Sequence, residues 1–104
     1  MTASATDYVR LIRDLYLKLP ITANRFNRSD RLLAVDLHRR LVPLHLVRAA
    51  FVLAAARRLA RNPNAPAPPL VRSLHYFLPV IDELQIHPLP PRYLEYLESK
   101  LQLR

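Results

Sequence analysis

The arginines are the residues of this sequence best suited to chemistry, and they gather in the middle of the chain. Residues 25–72 hold ten arginines against two acidic residues, Asp30 and Asp36, so this stretch accounts for the whole formal net charge of +8. The guanidinium group is a planar fork that suits bidentate contact with phosphate and also stacks on nucleobases. An arginine excess of this kind is typical of proteins that contact a phosphate backbone.

We therefore predict that the arginines of this stretch contact phosphate. They are Arg25, Arg28, Arg31, Arg39, Arg40, Arg48, Arg57, Arg58, Arg61 and Arg72. Two clusters stand out along the chain, namely Arg28, Arg31, Arg39 and Arg40, and then Arg57, Arg58 and Arg61. The same residues would suit a protein partner with an acidic face, and the sequence leaves that alternative open.

Residue types that serve catalysis or metal binding occur without the spacing that either requires. No two of the four histidines have the i, i+4 spacing of a zinc-binding helix, and the chain has no cysteine. The absence of glycine excludes a P-loop and a dinucleotide-binding loop, because both need glycine where backbone approaches phosphate. Ser73 is interpreted as a local cap, and Asp82 with Glu83 as an exposed helix face. We expect no enzyme activity, no metal and no cofactor.

Five segments with the apolar spacing of an α-helix must position the arginines. They run over residues 6–19, 29–41, 43–61, 70–84 and 91–102. With no glycine and ten prolines, the sequence favours helices separated by stiff connectors, most clearly at residues 62–69. We predict an all-α fold, a compact bundle of four to five helices with proline-rich connectors, in a single domain over residues 1–104.

The apolar faces of these helices predict the core. The third segment is apolar around nearly its whole circumference, which is typical of the helix at the centre of a bundle. The other four segments have one apolar stripe each. The predicted inner residues are Tyr8, Leu11, Ile12, Leu15, Tyr16, Leu19, Leu33, Leu37, Leu41, Leu74, Phe77, Leu78, Ile81, Leu84, Tyr93, Leu94, Leu97 and Leu101. Tyr96 is the tyrosine that lies most clearly outside the apolar stripe of its predicted helix.

Two residues predict local features of the helices. Ser29 is a suitable N-cap for the second helix, because its hydroxyl can accept a hydrogen bond from a free backbone N–H. Pro79 lies inside the fourth segment, where it removes the hydrogen bond to the His75 carbonyl and produces a kink or a break.

The second and third segments have the spacing of a helix-turn-helix, since about three residues join them. The first half of the third segment is nearly all apolar, however, and His45 and Arg48 are its only polar side chains. A recognition helix needs polar side chains there to read base edges. We therefore expect arginines at several helix ends to contact the backbone, without sequence-specific reading by the third helix.

Residues 73–84, SLHYFLPVIDEL, resemble the signature helix of the DnaD-like domain of bacterial replication-initiation proteins, which carries a Tyr-Ile-x-x-Ile-Leu-x-x-Trp run. Tyr76 with Phe77 and Val80 with Ile81 match the two pairs, and Leu84 stands in place of the tryptophan. The stretch VPLHLVRAAFVLAAARR is similar to the preceding helix of that family, so the resemblance covers about residues 30–97. It implies a helical domain that binds DNA without strong sequence preference, in replication or a mobile genetic element.

These observations predict a non-enzymatic accessory protein that binds nucleic acid, with DNA the favoured ligand. The alternative is an adaptor, or a small subunit of a larger bacterial complex, with an acidic partner. The first and last helices, rich in tyrosine and leucine, offer a seam for a homodimer. No secretory signal is expected, because residues 1–10 lack a basic region followed by a long apolar run. No membrane span is expected either, because the longest low-charge stretch, residues 49–56, is too short to cross a bilayer. We expect a cytoplasmic protein.

Overall fold

The computed structural model describes residues 4–60, 64–66 and 68–101, and their regular structure is helical. The elements are α1 (Ala5–Lys18), α2 (Arg28–Arg39), α3 (Leu44–Leu59), a 3-10 helix (Leu74–Phe77), α4 (Leu78–Ile86) and α5 (Pro91–Leu101). The only strand-like pairing within these ranges is an isolated parallel bridge between Thr22 and Val71. The predicted all-α bundle is confirmed.

Helix α3 is the centre of the bundle, as its all-round apolar sequence predicts. It packs against α1, α4, α5 and the 3-10 helix. Val47 and residues 49–55 are buried in it, and the many alanines allow neighbouring helices to approach closely. Phe51 lies against Phe77, with ring centroids 4.7 Å apart, so the aromatic core joins α3 to the 3-10 helix.

Helix α1 contributes two buried tyrosines whose hydroxyls reach backbone far along the chain. Tyr8 donates a 2.7 Å hydrogen bond to the Val42 carbonyl, and Tyr16 donates to the Val71 carbonyl at 3.4 Å. Burial raises the pKa of each phenol to about 12, because the ionised form is poorly solvated there. The buried stripe includes Val9, whereas Leu11, predicted to face inward, is 37% exposed.

The N-cap of helix α2 lies two residues before the predicted one. Asn27 caps it, with its side chain accepting from the Asp30 N–H while the Asp30 carboxylate accepts from the Asn27 N–H. This reciprocal arrangement satisfies two N–H groups, which a lone Ser29 hydroxyl cannot do. The prediction of Ser29 as the cap was therefore wrong.

Helix α2 ends at Arg39, and Leu41 does not continue its inner edge. Leu41 adopts φ of 61° and is 81% exposed. The N–H of Leu41 bonds the His38 carbonyl and that of Val42 bonds the Leu37 carbonyl, which is the Schellman arrangement at a helix end. The position usually holds glycine; here leucine takes it, and Val42 is buried instead.

The predicted fourth helix, residues 70–84, is in fact three pieces. Val71 is extended because it pairs with residues 21–23, through bonds from Ala23 N–H to Val71 O and from Val71 N–H to Ile21 O. The 3-10 helix follows, and α4 then begins at Leu78 and runs to Ile86. Pro79 thus lies in the first turn of α4, where a missing N–H costs little.

Helix α5 faces the core largely as predicted, with Tyr93 as the exception. Leu97 is buried and Leu94 and Leu101 are half-buried, but Tyr93 is 46% exposed and stacks on the exposed Tyr96. Tyr93 was wrongly placed on the inner side. Among the described helices none is long and apolar enough to cross a membrane.

Candidate functional site

The ten predicted arginines differ in what their side chains contact in the structure. Arg40, Arg48, Arg57 and Arg58 are engaged with other parts of the protein. Arg61 lies outside the described residues. The remaining five form no ion pair with any described residue, and all five are exposed. They are Arg25, Arg28, Arg31, Arg39 and Arg72.

Three of the engaged arginines pair with carboxylates of α2, α4 and α5. Arg57 of α3 makes a two-pronged contact with Glu83 of α4, with N–O distances of 3.2 and 2.6 Å, and the guanidinium lowers the pKa of Glu83. Arg48 pairs with Glu98 of α5. Arg40 lies 3.5 Å from Asp36 and 3.9 Å from Asp82. These pairs leave less positive charge available to a ligand.

Arg58 holds the end of the proline-rich connector, at Pro68 and Pro69, against α3. Its Nη2 donates to the carbonyls of Pro68 and Pro69 at 3.4 and 2.5 Å, and its Nη1 donates to the Tyr76 hydroxyl. The guanidinium also lies 5.6 Å from the centre of the Tyr76 ring. Because its donors are used internally, Arg58 acts mainly as a structural clamp. The predicted cluster of Arg57, Arg58 and Arg61 is therefore not a free basic patch at its two described members.

Three of the five unpaired arginines lie on the outward side of α2. Arg28 and Arg39 are eleven residues apart, about three turns of helix, so they share one face, and Arg31 lies one turn from Arg28. The opposite side of α2 carries the buried residues Asp30, Leu33, Ala34 and Leu37. The helix packs against α1 and the 3-10 helix through that side, which leaves the arginines facing solvent.

The other two unpaired arginines, Arg25 and Arg72, meet at one pocket beside the start of α2. Ala23 and Asn27 complete its lining, and its volume is about 400 Å³. The Thr22–Val71 bridge brings the two segments together, since Arg25 follows Thr22 by three residues and Arg72 directly follows Val71. Sequence reasoning did not place these two arginines together, because only the bridge makes them neighbours.

We call the surface formed by Arg25, Arg28, Arg31, Arg39 and Arg72 the basic surface. It continues onto α1, where Arg10 and Arg13 line a shallow groove together with Arg31. Arg10 pairs with Asp7 at 3.2 Å and Arg13 with Asp14 at 3.4 Å. These exposed pairs are weak and easily exchanged for a ligand oxygen. Neither α1 arginine was among the predicted contact residues, because each has an acidic residue close by in the sequence.

A serine, a histidine and an aspartate meet at the start of the 3-10 helix. The Ser73 hydroxyl donates to Asp30 at 3.3 Å and lies 2.9 Å from His75 Nδ1, while it accepts from the His75 N–H. In a serine hydrolase the histidine lies between serine and aspartate, whereas here the serine lies between the other two. The cluster caps the 3-10 helix, as predicted for Ser73, and holds it against α2.

The described residues contain no group of three or more side chains able to hold a metal ion. No protein-family model, no curated protein and no solved structure matches the chain. The candidate site is therefore defined by its geometry and charge, and its main feature is the basic surface.

Proposed function

We propose that this protein binds nucleic acid through its phosphate backbone, with the basic surface as the contact region and duplex DNA as the favoured ligand. The observation that carries the proposal is the set of five exposed arginines without an acidic partner among the described residues. Arginines kept apart from carboxylates have all their donors available to phosphate oxygens.

The shape of α2 suits a run of phosphates better than a single anion. Its 12 residues span about 18 Å at ~1.5 Å per residue, with Arg28 near one end and Arg39 at the other. One DNA strand carries a phosphate roughly every 3.4 Å of helix axis, so this length corresponds to roughly five base pairs. Five arginines over such a footprint fit non-specific backbone contact, and replication or a mobile element is the setting that the DnaD-like resemblance implies.

Salt dependence of binding is the measurement that tests this proposal. Binding to duplex DNA, single-stranded DNA and structured RNA would be followed by fluorescence anisotropy from about 50 to 200 mM salt. If each of the five arginines releases about one counterion, the logarithm of the association constant should fall against the logarithm of salt with a slope of roughly −4 to −5 for duplex DNA. A flat slope, or no binding at low salt, would contradict it.

A pair of matched variants separates the basic surface from net charge. Arg28→Gln with Arg39→Gln should reduce the slope by about 2, because two phosphate contacts are lost. Arg48→Gln with Arg57→Gln removes the same formal charge from arginines that are already paired, and should leave the slope nearly unchanged. Equal losses in both variants would show that overall charge, and not this surface, determines binding.

The alternative of an adaptor with an acidic protein partner has one specific observation in its favour. Leu32, between the arginines of α2, is 58% exposed, and Leu41 beyond its end is 81% exposed. A protein partner would cover such side chains, whereas a phosphate backbone gains little from them. Leu32→Ser should therefore leave binding to DNA unchanged under the first proposal. Weak nucleic-acid binding, with tight leucine-dependent binding to an acidic protein, would favour the adaptor.

A further inference from the structure

We propose that the pocket between Arg25 and Arg72 binds a phosphomonoester, namely the terminal phosphate of a nucleic-acid strand. This inference rests on the proposed function and makes it more specific. Arg28, Arg31 and Arg39 would contact internal phosphates along α2, while the pocket at the N-terminal end of that helix would hold the strand end.

The backbone around the pocket is fixed before any ligand arrives. The bonds from Ala23 N–H to Val71 O, at 2.8 Å, and from Val71 N–H to Ile21 O, at 2.7 Å, join the two segments that carry the arginines. The buried Thr22 hydroxyl donates to the carbonyls of Tyr16 and Leu19, which ties the first segment to the end of α1. Folding therefore already brings the two cations together. The free energy of ligand binding is not reduced by the cost of ordering the site.

The charge of the pocket matches a monoester better than a diester. Its lining residues include two arginines and no acidic residue. A phosphomonoester carries about −1.5 to −2 near neutral pH. An internal phosphodiester carries a single negative charge. Two cations at one pocket therefore favour the dianion.

Asn27 adds a neutral hydrogen-bond donor to the same pocket. Its Oδ1 is occupied by the Asp30 N–H in the helix cap. The cap therefore orients the side-chain amide, whose Nδ2 group remains a donor for an anion oxygen. Together the three side chains offer hydrogen-bond donors from two segments of the chain to one anion.

The first arm of the test uses inorganic phosphate as the probe. Backbone amide NMR signals around the pocket would be followed during phosphate titration of the wild type, of Arg25→Gln/Arg72→Gln and of the charge-matched control Arg48→Gln/Arg57→Gln, whose arginines are already paired with carboxylates. Arg25 and Arg72 are exposed, so the pocket variant should fold, and circular dichroism checks both variants. We expect saturable binding that weakens at least about tenfold in the pocket variant only. No saturation in the wild type, or equal weakening in both variants, would overturn the proposal.

The second arm distinguishes a strand end from a free phosphate compound. The same duplex would be compared with 5′-phosphate and with 5′-hydroxyl ends. We expect the phosphorylated duplex to bind several-fold more tightly, with the preference lost in Arg25→Gln/Arg72→Gln and kept in the control. Phosphate binding without an end preference would overturn the assignment to a strand end. If the 5′-hydroxyl duplex still binds with a steep salt slope, the proposed function survives that failure.

Discussion

Asp30 joins two parts of the protein that are more than forty residues apart in sequence. Its carboxylate is fully buried and accepts from the N–H groups of Asn27 and Leu74 and from the Ser73 hydroxyl. The charge is tolerated in the interior because these donors replace water. Asp30 thereby fixes the start of α2 against the 3-10 helix, and with it the positions of Arg28 and Arg72.

Replacing Asp30 with alanine should destabilise the protein strongly. The buried Leu74 N–H and the partly buried Asn27 N–H would lose their acceptor, at a cost of about 2–4 kcal/mol in the free energy of unfolding. Urea denaturation measures the loss. Asp36→Ala on the same helix is the matched control, since Asp36 makes an exposed pair and should cost less than about 1 kcal/mol. Similar losses in both variants would disprove this role for Asp30.

Leu41 holds an unfavourable backbone conformation while it buries little of its side chain. A left-handed conformation costs a residue other than glycine about 1–2 kcal/mol. Glycine recovers that cost but loses about 0.5–1 kcal/mol of backbone entropy on folding. We therefore expect Leu41→Gly to stabilise the protein by about 0.5–1 kcal/mol in chemical denaturation.

A leucine-to-glycine change at the last residue of α3 provides the control for that prediction. Leu59 is also exposed, at 65%, but it is helical. Leu59→Gly should therefore destabilise by up to about 1 kcal/mol. Destabilisation of similar size by Leu41→Gly would mean that the exposed leucine is held by contacts rather than by strain.

At the scale of elements, the join between the 3-10 helix and α4 shows how the chain accommodates a proline. The Leu78 N–H donates to the His75 carbonyl, in the tighter 3-10 pattern. In one long helix the His75 carbonyl would lack a donor, because Pro79 has no N–H. Here the Leu78 N–H makes that hydrogen bond instead. The sequence correctly located a break near Pro79, but it gave no sign that the preceding turn would be 3-10.

Substituting Pro79 with alanine distinguishes a proline in the first turn of α4 from a proline inside one continuous helix. The two arrangements predict changes of opposite sign in the free energy of unfolding. In the first turn of α4 the proline disrupts nothing, so Pro79→Ala should destabilise by about 0.5–1 kcal/mol because the unfolded chain gains freedom. Pro91, which begins α5, is the matched control and should behave alike. A stabilisation approaching ~3 kcal/mol would instead indicate a proline within a continuous helix.

At the scale of the whole molecule, the charge is unevenly distributed. Two of the three arginines of α3, Arg48 and Arg57, pair with carboxylates of α5 and α4. The basic surface on α2 and the adjoining segments has no such compensation from described residues. Like charges held close together repel, so the folded protein is strained electrostatically until salt or a polyanion screens them.

Salt should therefore stabilise the free protein. We expect the thermal midpoint to rise by a few degrees between about 20 and 200 mM sodium chloride, as the screening length shortens. The rise should be smaller for Arg28→Gln/Arg39→Gln than for Arg48→Gln/Arg57→Gln, because only the first pair relieves repulsion. A midpoint that falls with salt would mean that the surface ion pairs contribute more than the repulsion does.

The sequence by itself determined the helical class, the central place of α3 and the break near Pro79. Each depends on local periodicity or on proline geometry, which a segment carries with it. It also located the charge in residues 25–72, since composition is independent of folding. Ser29 was misplaced because Asn27, two residues earlier, is an equally suitable cap, and Tyr93 was misplaced because it lies at the edge of the apolar stripe of α5. Long-range packing decides both.

The tertiary structure decided which arginines are available. Arg48 and Arg57 are used by Glu98 and Glu83, residues distant in sequence whose proximity follows from the packing of α4 and α5 on α3. Arg25 and Arg72 share a pocket because Thr22 and Val71 form a bridge across the chain. Such contacts bring together residues between 26 and 50 positions apart, and local sequence patterns do not specify them.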